Sequence, residues 1–511
     1  MSRALANNKQ YQAASVQAEL SRLLSDKAEI YLPGTEQFDY SNARFSEYGR
    51  PVCPSHTSLI SAQTYIAAVH PANEQDVAST VRYSHMRGIG CTARSGGHCV
   101  TNYMKKLQDG IVVDMRFVNH LSYDAENELV TAGGGVYSGD FAKFIHDRKR
   151  ELGIGSCPTT GLIGVALGGG IGRLQGKYGY LSDNMVSCRL VLADGSIITV
   201  SETEHKDLFW AMRGAGHNFG IVYEATFRVY PQPHGGIHHS WDFEFGLDKV
   251  RPLYELMNRL VPDMHPNLAC FLIWSKKAAS GAEGVIILNA VWSGPKDEAK
   301  EYISQFEAVG PVVPATLKSV EWSELPWVAY QGLNQQYLGN PDTWNVYPYK
   351  IFSAVSAKRF DPAALEQLYA EVKEMERKYD TRILVMFEAF SHKRSKEIPD
   401  NATAFPWRHG SDIFLLLQVS TKNLDREAAS NEWLNRWKKK LIEVSGYGRL
   451  QQYSNYGHGT NINDPIEAMY GYDEWRLRKL RGLKRQYDPD NWFRWYQPFW
   501  PDEGAVKDSR L

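Results

Sequence analysis

The chain has 511 residues, 43% of them apolar, with 57 Lys and Arg against 58 Asp and Glu for a formal net charge of -1. That balance excludes a disordered tail protein, a collagen-like repeat and a strongly basic nucleic-acid binder. The length suits roughly two to four domains, and the 42 Gly and 14 Trp suit aromatic-rich cores or a pocket for a planar ligand.

The first 24 residues hold no apolar run long enough for a signal peptide. No later window approaches the roughly 20 apolar residues of a membrane span, so an intracellular protein without membrane contact is expected. From about Tyr65, short β-branched runs (TYIAAVH, GIGCTAR, GIVVDM, ELVTAGGG, NMVSCRLVLADGSIITV, GIVYEATFRVYP) alternate with helical stretches and Gly-rich turns, which predicts an α+β domain. Asp194-Gly195-Ser196 reads as a tight hairpin turn. The character shifts near Pro231 to Gly236. Residues 237 to 445 then carry strand-like runs (GVIILNAVWS, RILVMFEAF, SDIFLLLQVS) and amphipathic helices. Trp433 and Trp437, one helical turn apart, are expected to face a core, and the run Lys438 to Lys440 to be a solvated face. No internal repeat is visible.

The six cysteines, at 53, 91, 99, 157, 188 and 270, form no CxxC pair and no zinc spacing, so no metal site is expected. Asn401-Ala402-Thr403 is a lone glycosylation sequon. The final Ser509-Arg510-Leu511 is similar to the SKL class of peroxisomal ends, which leaves cytoplasm and peroxisome both open.

Chemical signals are densest in two segments. In Arg94-Ser95-Gly96-Gly97-His98, two glycines let backbone N-H groups approach a ligand such as a pyrophosphate and present His98 at the loop's end, although an isolated segment of this kind is also an ordinary Gly-rich turn. Gly155 to Gly172 packs seven glycines into eighteen residues. It lacks the βαβ context of a dinucleotide fingerprint, and its glycines suit backbone pressed against a flat or phosphorylated ligand. Cys157 alone reads equally well as a buried inert thiol.

The order of RSGGH, GIVVDM, GSCPTTGLIGVALGGGIG, KYGYLSDN, DLFWAMRGAGHNFGIV and the closing KRQYDPDNWFRWYQPF resembles the berberine-bridge-enzyme-like branch of the vanillyl-alcohol oxidase superfamily of flavoproteins. The resemblance implies a PCMH-type FAD-binding domain over residues 1-236, a substrate domain over 237-445 with an antiparallel sheet covered by helices, and a segment 446-511 returning to the FAD domain. It further implies FAD joined covalently to His98 and Cys157, with Arg94, Ser95, Gly96 and Gly97 at the pyrophosphate. Thr160, Gly161, Gly164, Gly168, Gly169 and Gly172 would then lie along the cofactor, Asn218, Gly220 and Ile221 on its nucleotide side, and Tyr453 and Asn455 beside it.

By the same resemblance the reaction is hydride transfer from a C-H beside a hydroxyl or amine to the flavin, with a residue of the Tyr453 to His458 stretch as base. Tyr456 is the candidate, a phenol with pKa near ~10 in water that a cationic neighbour would ionise. His458 stands where the family has Asp. Val100 stands where the family has a pocket tyrosine, a role Tyr103 is placed to take over, and Gln418 and Glu388 are further pocket candidates. Thr160, the third residue after Cys157, is nearly isosteric with Val and implies an oxidase that releases hydrogen peroxide from O2. The substrate expected is a small specialised metabolite, with ring closure as an optional sequel. A carbohydrate oxidase and a non-redox cyclase using FAD as a scaffold are the alternatives; oligomeric state is not readable.

Overall fold

The structure, a computed structural model, describes residues 12-48, 65-338, 346-410 and 412-500. Cys53 and the terminal Ser509-Arg510-Leu511 lie outside them. Four short strands, β1 (Glu29–Tyr31), β2 (Tyr65–His70), β3 (Cys91–Arg94) and β4 (Gly110–Asp114), form a sheet in the order β1-β2-β4-β3. The last three are mutually parallel, so the chain must cross over between them. Helix Glu74–Arg87 makes one crossover: Asn73 and Asp76 cap its start reciprocally, and Gly88, at φ 66°, ends it. β2 and β4 are buried along their whole length, as their unbroken apolar runs require.

The second sheet is antiparallel. It contains β5 (Leu121–Asp124), β6 (Leu129–Gly133) and, beyond the two-residue β7 (Arg150–Glu151), β8 (Met185–Val191), β9 (Ile197–Ser201) and β10 (Ile221–Arg228), in the order β5-β6-β10-β8-β9. The Asp194 to Ser196 turn joins β8 to β9 as its sequence predicts: Leu192 N-H donates to Ser196 O at 2.9 Å, and Gly195 supplies a φ of 80°. β11 (Tyr230–Pro231) pairs with β7.

The third sheet has seven antiparallel strands: β12 (Ile237–Phe245), β13 (Leu268–Lys277), β14 (Glu283–Trp292), β15 (Thr316–Glu321), β16 (Tyr349–Ala357), β17 (Thr381–Phe390) and β18 (Ile413–Thr421), ordered β15-β12-β14-β13-β17-β18-β16. The period of two sorts its faces. On β17, Ile383, Val385, Phe387 and Ala389 join a core formed with helices Val250–Leu260, Pro362–Lys378 and Glu427–Val444. The alternate residues, Arg382, Leu384, Met386 and Glu388, face a cavity instead. β18 repeats the pattern, with Leu415 and Leu417 in the core and Leu416 and Gln418 on the cavity.

Trp433 and Trp437 enter this core, and both indoles donate to Glu371. Lys438 departs from the solvated face expected of it: it is 6% exposed and paired with the equally buried Asp464. The tail returns to the N-terminal half. Leu477, Leu480 and Leu483 of helix Glu474–Tyr487, and Phe499, share a core with Leu208 and Phe209. Lys484 and Asp488 form a buried ion pair at 2.6 Å. Asp488 also accepts from the backbone N-H of Trp492 and Phe493, and Lys484 donates to Phe493 O, so the closing KxxYDPxN motif fixes the course of the last turn of chain.

Candidate active site

One cavity of about 800 Å³ runs from the first two sheets to the exposed edge of the third. Its inner end is walled by Thr92 and Ala93 of β3, by Gly220 and Ile221 at the start of β10, and by Phe493 and Trp495 of the tail. The RSGGH loop follows β3 directly. Arg94 is buried and uses one nitrogen to donate to Ala43 O at 2.9 Å, while its Nε and Nη1, and the Ser95 hydroxyl, have no protein partner. Burial and the neighbouring Arg116 lower the guanidinium's pKa to about 10, against the pull of Asp114. A buried cation with unfilled donors is what a phosphate satisfies. Gly96 packs against the second loop, where a Cβ would lie 2.5 Å from Thr159 O, and Gly97 turns at φ 73°. At Gly164, which borders the cavity, a Cβ would meet nothing within 4 Å, so the wall stands open there. These features fit a dinucleotide cofactor.

His98 and Cys157 converge on a shared hydroxyl. Thr159 Oγ1 lies 2.9 Å from His98 Nε2 and 3.6 Å from Cys157 Sγ. The imidazole stacks on Phe45, centroids 4.8 Å apart, and burial, with Arg94 and Lys350, drives its pKa down to about 3, so it is neutral. Burial pushes the Cys157 thiol up, against the pull of the Thr159 hydroxyl. Thr160 also borders the cavity; its hydroxyl donates to Cys157 O at 2.8 Å and meets Ser138 at 3.1 Å. Tyr453 accepts from the N-H of Gly170 at 3.1 Å and from Asn455 at 2.7 Å, and Asn455 accepts from Tyr496, which fixes three polar side chains beside the glycine-rich segment.

At the third sheet, Tyr456 Oη donates to Glu388 Oε1 at 3.2 Å. Sequence reasoning sought a cation to ionise Tyr456, and the neighbour is a carboxylate. Burial and Glu388 together raise the phenol well above its usual value, so it is a proton donor at neutral pH. Burial raises Glu388 to about 8, offset by the Tyr456 hydrogen bond and by Arg173, and its Oε2 is unpartnered. Gln418 lies on the same wall with its amide donating to Ser420 at 2.6 Å.

Other expected residues lie away from the cavity lining. The rings of Tyr103 and His458 pack at a 50° tilt, centroids 5.2 Å apart, and neither borders the cavity. His458 is 2% exposed, turns its loop at φ 52° and is lowered to about 4 by burial. Asn218 lies off the cavity too, donating to Tyr470 Oη at 3.2 Å and joining the tail to the body. At Gly168, Gly169 and Gly172 a Cβ would collide with Asn455, Phe405 and the Ile154 backbone, so each allows close packing there.

Four residues escaped sequence reasoning. His217, on the cavity wall, contacts Gly164 O at 2.8 Å and lies against Tyr496. Lys350 donates to Phe45 O at 2.7 Å, behind the ring that stacks on His98. Tyr330 borders the cavity from helix Leu325–Leu338, which is broken by left-handed residues at 330, 331 and 332. The buried Arg173, next after Gly172, donates to the Tyr330 hydroxyl and lies over Phe271. Arg173 follows a motif already singled out and His217 lies within another, but Lys350 and Tyr330 have no local signal.

A two-part flavin cleft closed by a seven-stranded substrate sheet is the architecture of flavin-dependent oxidoreductases. A protein-family profile described as FAD binding domain matches residues 65-201. FAD-linked oxidoreductase alt4 of Alternaria solani is 46% identical over 492 residues, covering 95% of this chain and 96% of that protein. The BBE-like 1 enzyme of Physcomitrella patens shares the fold at 22% identity, TM-score 0.77, over 96% of this chain and 99% of that one. An Acremonium strictum glucooligosaccharide oxidase, whose structure was described as revealing a novel flavinylation, does so at 22% identity and TM-score 0.73, over 94% and 96%. The chain belongs to the FAD-linked oxidoreductases of berberine-bridge-enzyme-like, PCMH-type fold.

Proposed function

We propose that the protein is an oxidase that takes a hydride from a C-H beside a hydroxyl or amine of a small, largely apolar specialised metabolite and reduces O2 to H2O2. The observation that carries this reading is the Glu388–Tyr456 pair on a substrate wall that includes Phe271, Ile273, Phe352, Leu384, Met386 and Leu416 beside the polar Gln418. His98 and Cys157 would hold FAD covalently, and Arg94 and Ser95 would meet its phosphates. Bound there, FAD would supply the hydride acceptor and the two-electron reductant for O2.

The chain's own residues handle the proton. Glu388 accepts it from the substrate hydroxyl or amine at Oε2, the oxygen left without a partner, while Tyr456 donates to Oε1 and fixes the carboxylate's orientation. A carboxyl raised to about 8 is a stronger base than an ordinary one and still partly ionised near neutrality. The apolar wall keeps water away, so the field of Arg173 on Glu388 is weakly screened. Thr160, small and with its hydroxyl turned to Cys157 O, leaves space for O2 beside the tether. The same wall argues against a sugar: ring hydroxyls set against Leu384, Met386 and Leu416 would lose hydrogen bonds at about 1-3 kcal/mol each.

The test is anaerobic mixing of the yellow holoenzyme with a panel of lipophilic alcohols, phenols, amines and oligosaccharides, followed by air. Bleaching by an apolar member, then rapid recovery of colour with H2O2 formed, is expected. Turnover without bleaching would favour the cyclase reading, bleaching by sugars alone the carbohydrate one, and recovery no faster than that of free flavin would remove the oxidase claim.

A further inference from the structure

A second buried cation borders the cavity, and no motif surrounds it in the sequence. Arg44, just past helix Glu36–Asn42, is 8% exposed, against 6% for Arg94, and lines the cavity together with Arg94, Ser95 and Gly96. Its Nη2 donates to the Tyr65 hydroxyl at 2.7 Å, its Nη1 has no partner, and it pairs with no acid among the described residues. Burial opposes its charge, yet Tyr65, Cys99 and Glu47 hold its pKa above the ordinary arginine value, so the guanidinium stays cationic. A buried charge with an unfilled donor is costly unless a ligand of opposite charge satisfies it.

The backbone on either side of Arg44 is tied to the RSGGH loop. Arg94 donates to Ala43 O at 2.9 Å, Phe45 N-H donates to Gly97 O at 3.1 Å, and the Phe45 ring stacks on His98. At Gly97 a Cβ would lie 3.2 Å from Ala43 O, so the two stretches touch. Between them they carry the unfilled donors of this part of the wall: Arg44 Nη1, Arg94 Nε and Nη1, and the Ser95 hydroxyl. Counting charge then identifies what they suit. The diphosphate of FAD is doubly negative at neutral pH, and Arg94 offsets one charge. Arg116, the other cation beside Arg94, is consumed by Asp114, to which its Nε donates at 2.9 Å. The second charge is left for Arg44, whose planar fork matches a phosphate.

We propose, building on the placement of the FAD phosphates at Arg94 and Ser95, that Arg44 is a further cofactor-binding residue and forms with Arg94 a two-cation clamp on the diphosphate. The clamp is independent of which substrate the enzyme takes and of whether O2 is the acceptor. It also makes the stretch before β2 part of the FAD site, so that the cofactor bridges Arg44 to the loop after β3.

The test measures binding and needs no turnover. The full chain carrying His98→Ala and Cys157→Ala is titrated with FAD and with riboflavin, which lacks phosphate, while flavin fluorescence is followed. Adding Arg44→Met should weaken FAD binding about ten-fold or more and riboflavin binding by no more than about two-fold, with Arg44→Lys recovering part of the loss. Removal of an unpaired buried cation should leave the FAD-free chain melting no lower than its parent, while the rise in melting temperature that FAD gives becomes smaller. In the holoenzyme with both tethering residues intact, Arg44→Met should displace at least one of the two phosphorus NMR resonances of FAD, whatever the untethered chain does. Equal weakening of FAD and riboflavin, a lower-melting chain with an unchanged FAD increment, or phosphorus resonances unmoved by Arg44→Met would overturn the clamp. Arg94→Met tells that failure from a failure of its foundation: loss of the preference for FAD over riboflavin in Arg94→Met but not in Arg44→Met would remove Arg44 alone, and loss in neither would place the phosphates elsewhere.

Discussion

Replacing Glu388 by Gln keeps the shape and removes one ionisable group, and the structure assigns it two opposite effects. Burial holds the carboxyl at about 8, against 4.5 for an ordinary Glu, so the folded protein retains a proton the unfolded chain has released. The contribution to stability is present in full below pH 4.5 and is lost as pH rises towards 8. Three and a half pKa units at 1.36 kcal/mol each set the loss at about 5 kcal/mol. Gln carries no charge, so the variant escapes that loss. In urea denaturation followed by tryptophan emission, the wild type should weaken relative to Glu388→Gln between pH 5 and pH 9, with the variant the more stable of the two at pH 9. Activity should move the other way. Rapid mixing with a bleaching substrate should show reduction slowed by about 10² to 10⁴, and a wild-type rate that climbs with pH to a plateau above 8 should become flat. Parallel stability curves across this range would mean that Glu388 is not held protonated. Reduction within about three-fold of wild type, with its pH dependence intact, would place proton removal elsewhere.

Two further outcomes are expected. Acid-precipitated wild-type protein should keep its yellow colour in the pellet, and the His98→Ala, Cys157→Ala double variant should release all flavin to the supernatant; a colourless wild-type pellet would end the covalent assignment. Lys438→Met strands Asp464 in the interior, and breaking a buried pair in this way costs about 3-5 kcal/mol, read as a lowered urea midpoint. A solvated Lys438 would give no change beyond about 0.5 kcal/mol.

Most strands were legible because apolar periodicity is a local property. RILVMFEAF and SDIFLLLQVS became β17 and β18 with the expected alternation, and Gly195 made the turn its position demands. The site was legible only where a motif marks it. RSGGH and GSCPTTG lie on the cavity because their glycines are fixed by close approach of the two loops at Gly96. Glycine density has a second source, since Gly168 and Gly169 approach the Asn455 and Phe405 side chains and Gly172 the Ile154 backbone, and such packing leaves the same trace in the sequence. Lys438 misled for a related reason: a helix face is defined by what covers it, and Asp464 arrives from a later loop. Lys350, Tyr330 and His217 have partners distant in the chain, and no spacing rule reaches across such separations.

Phe493, Trp495 and Tyr496, close to the end of the described chain, border the same cavity as Thr92 and Ala93 of β3. A ribosome that has just made residue 480 has synthesised both glycine-rich segments, yet this part of the wall does not exist. Completion of the cavity is thus a late event in the life of the polypeptide, following synthesis of the tail that Lys484 and Asp488 fold into place. A premature stop codon before Phe493, which spares His98 and Cys157, would leave the cavity without that wall.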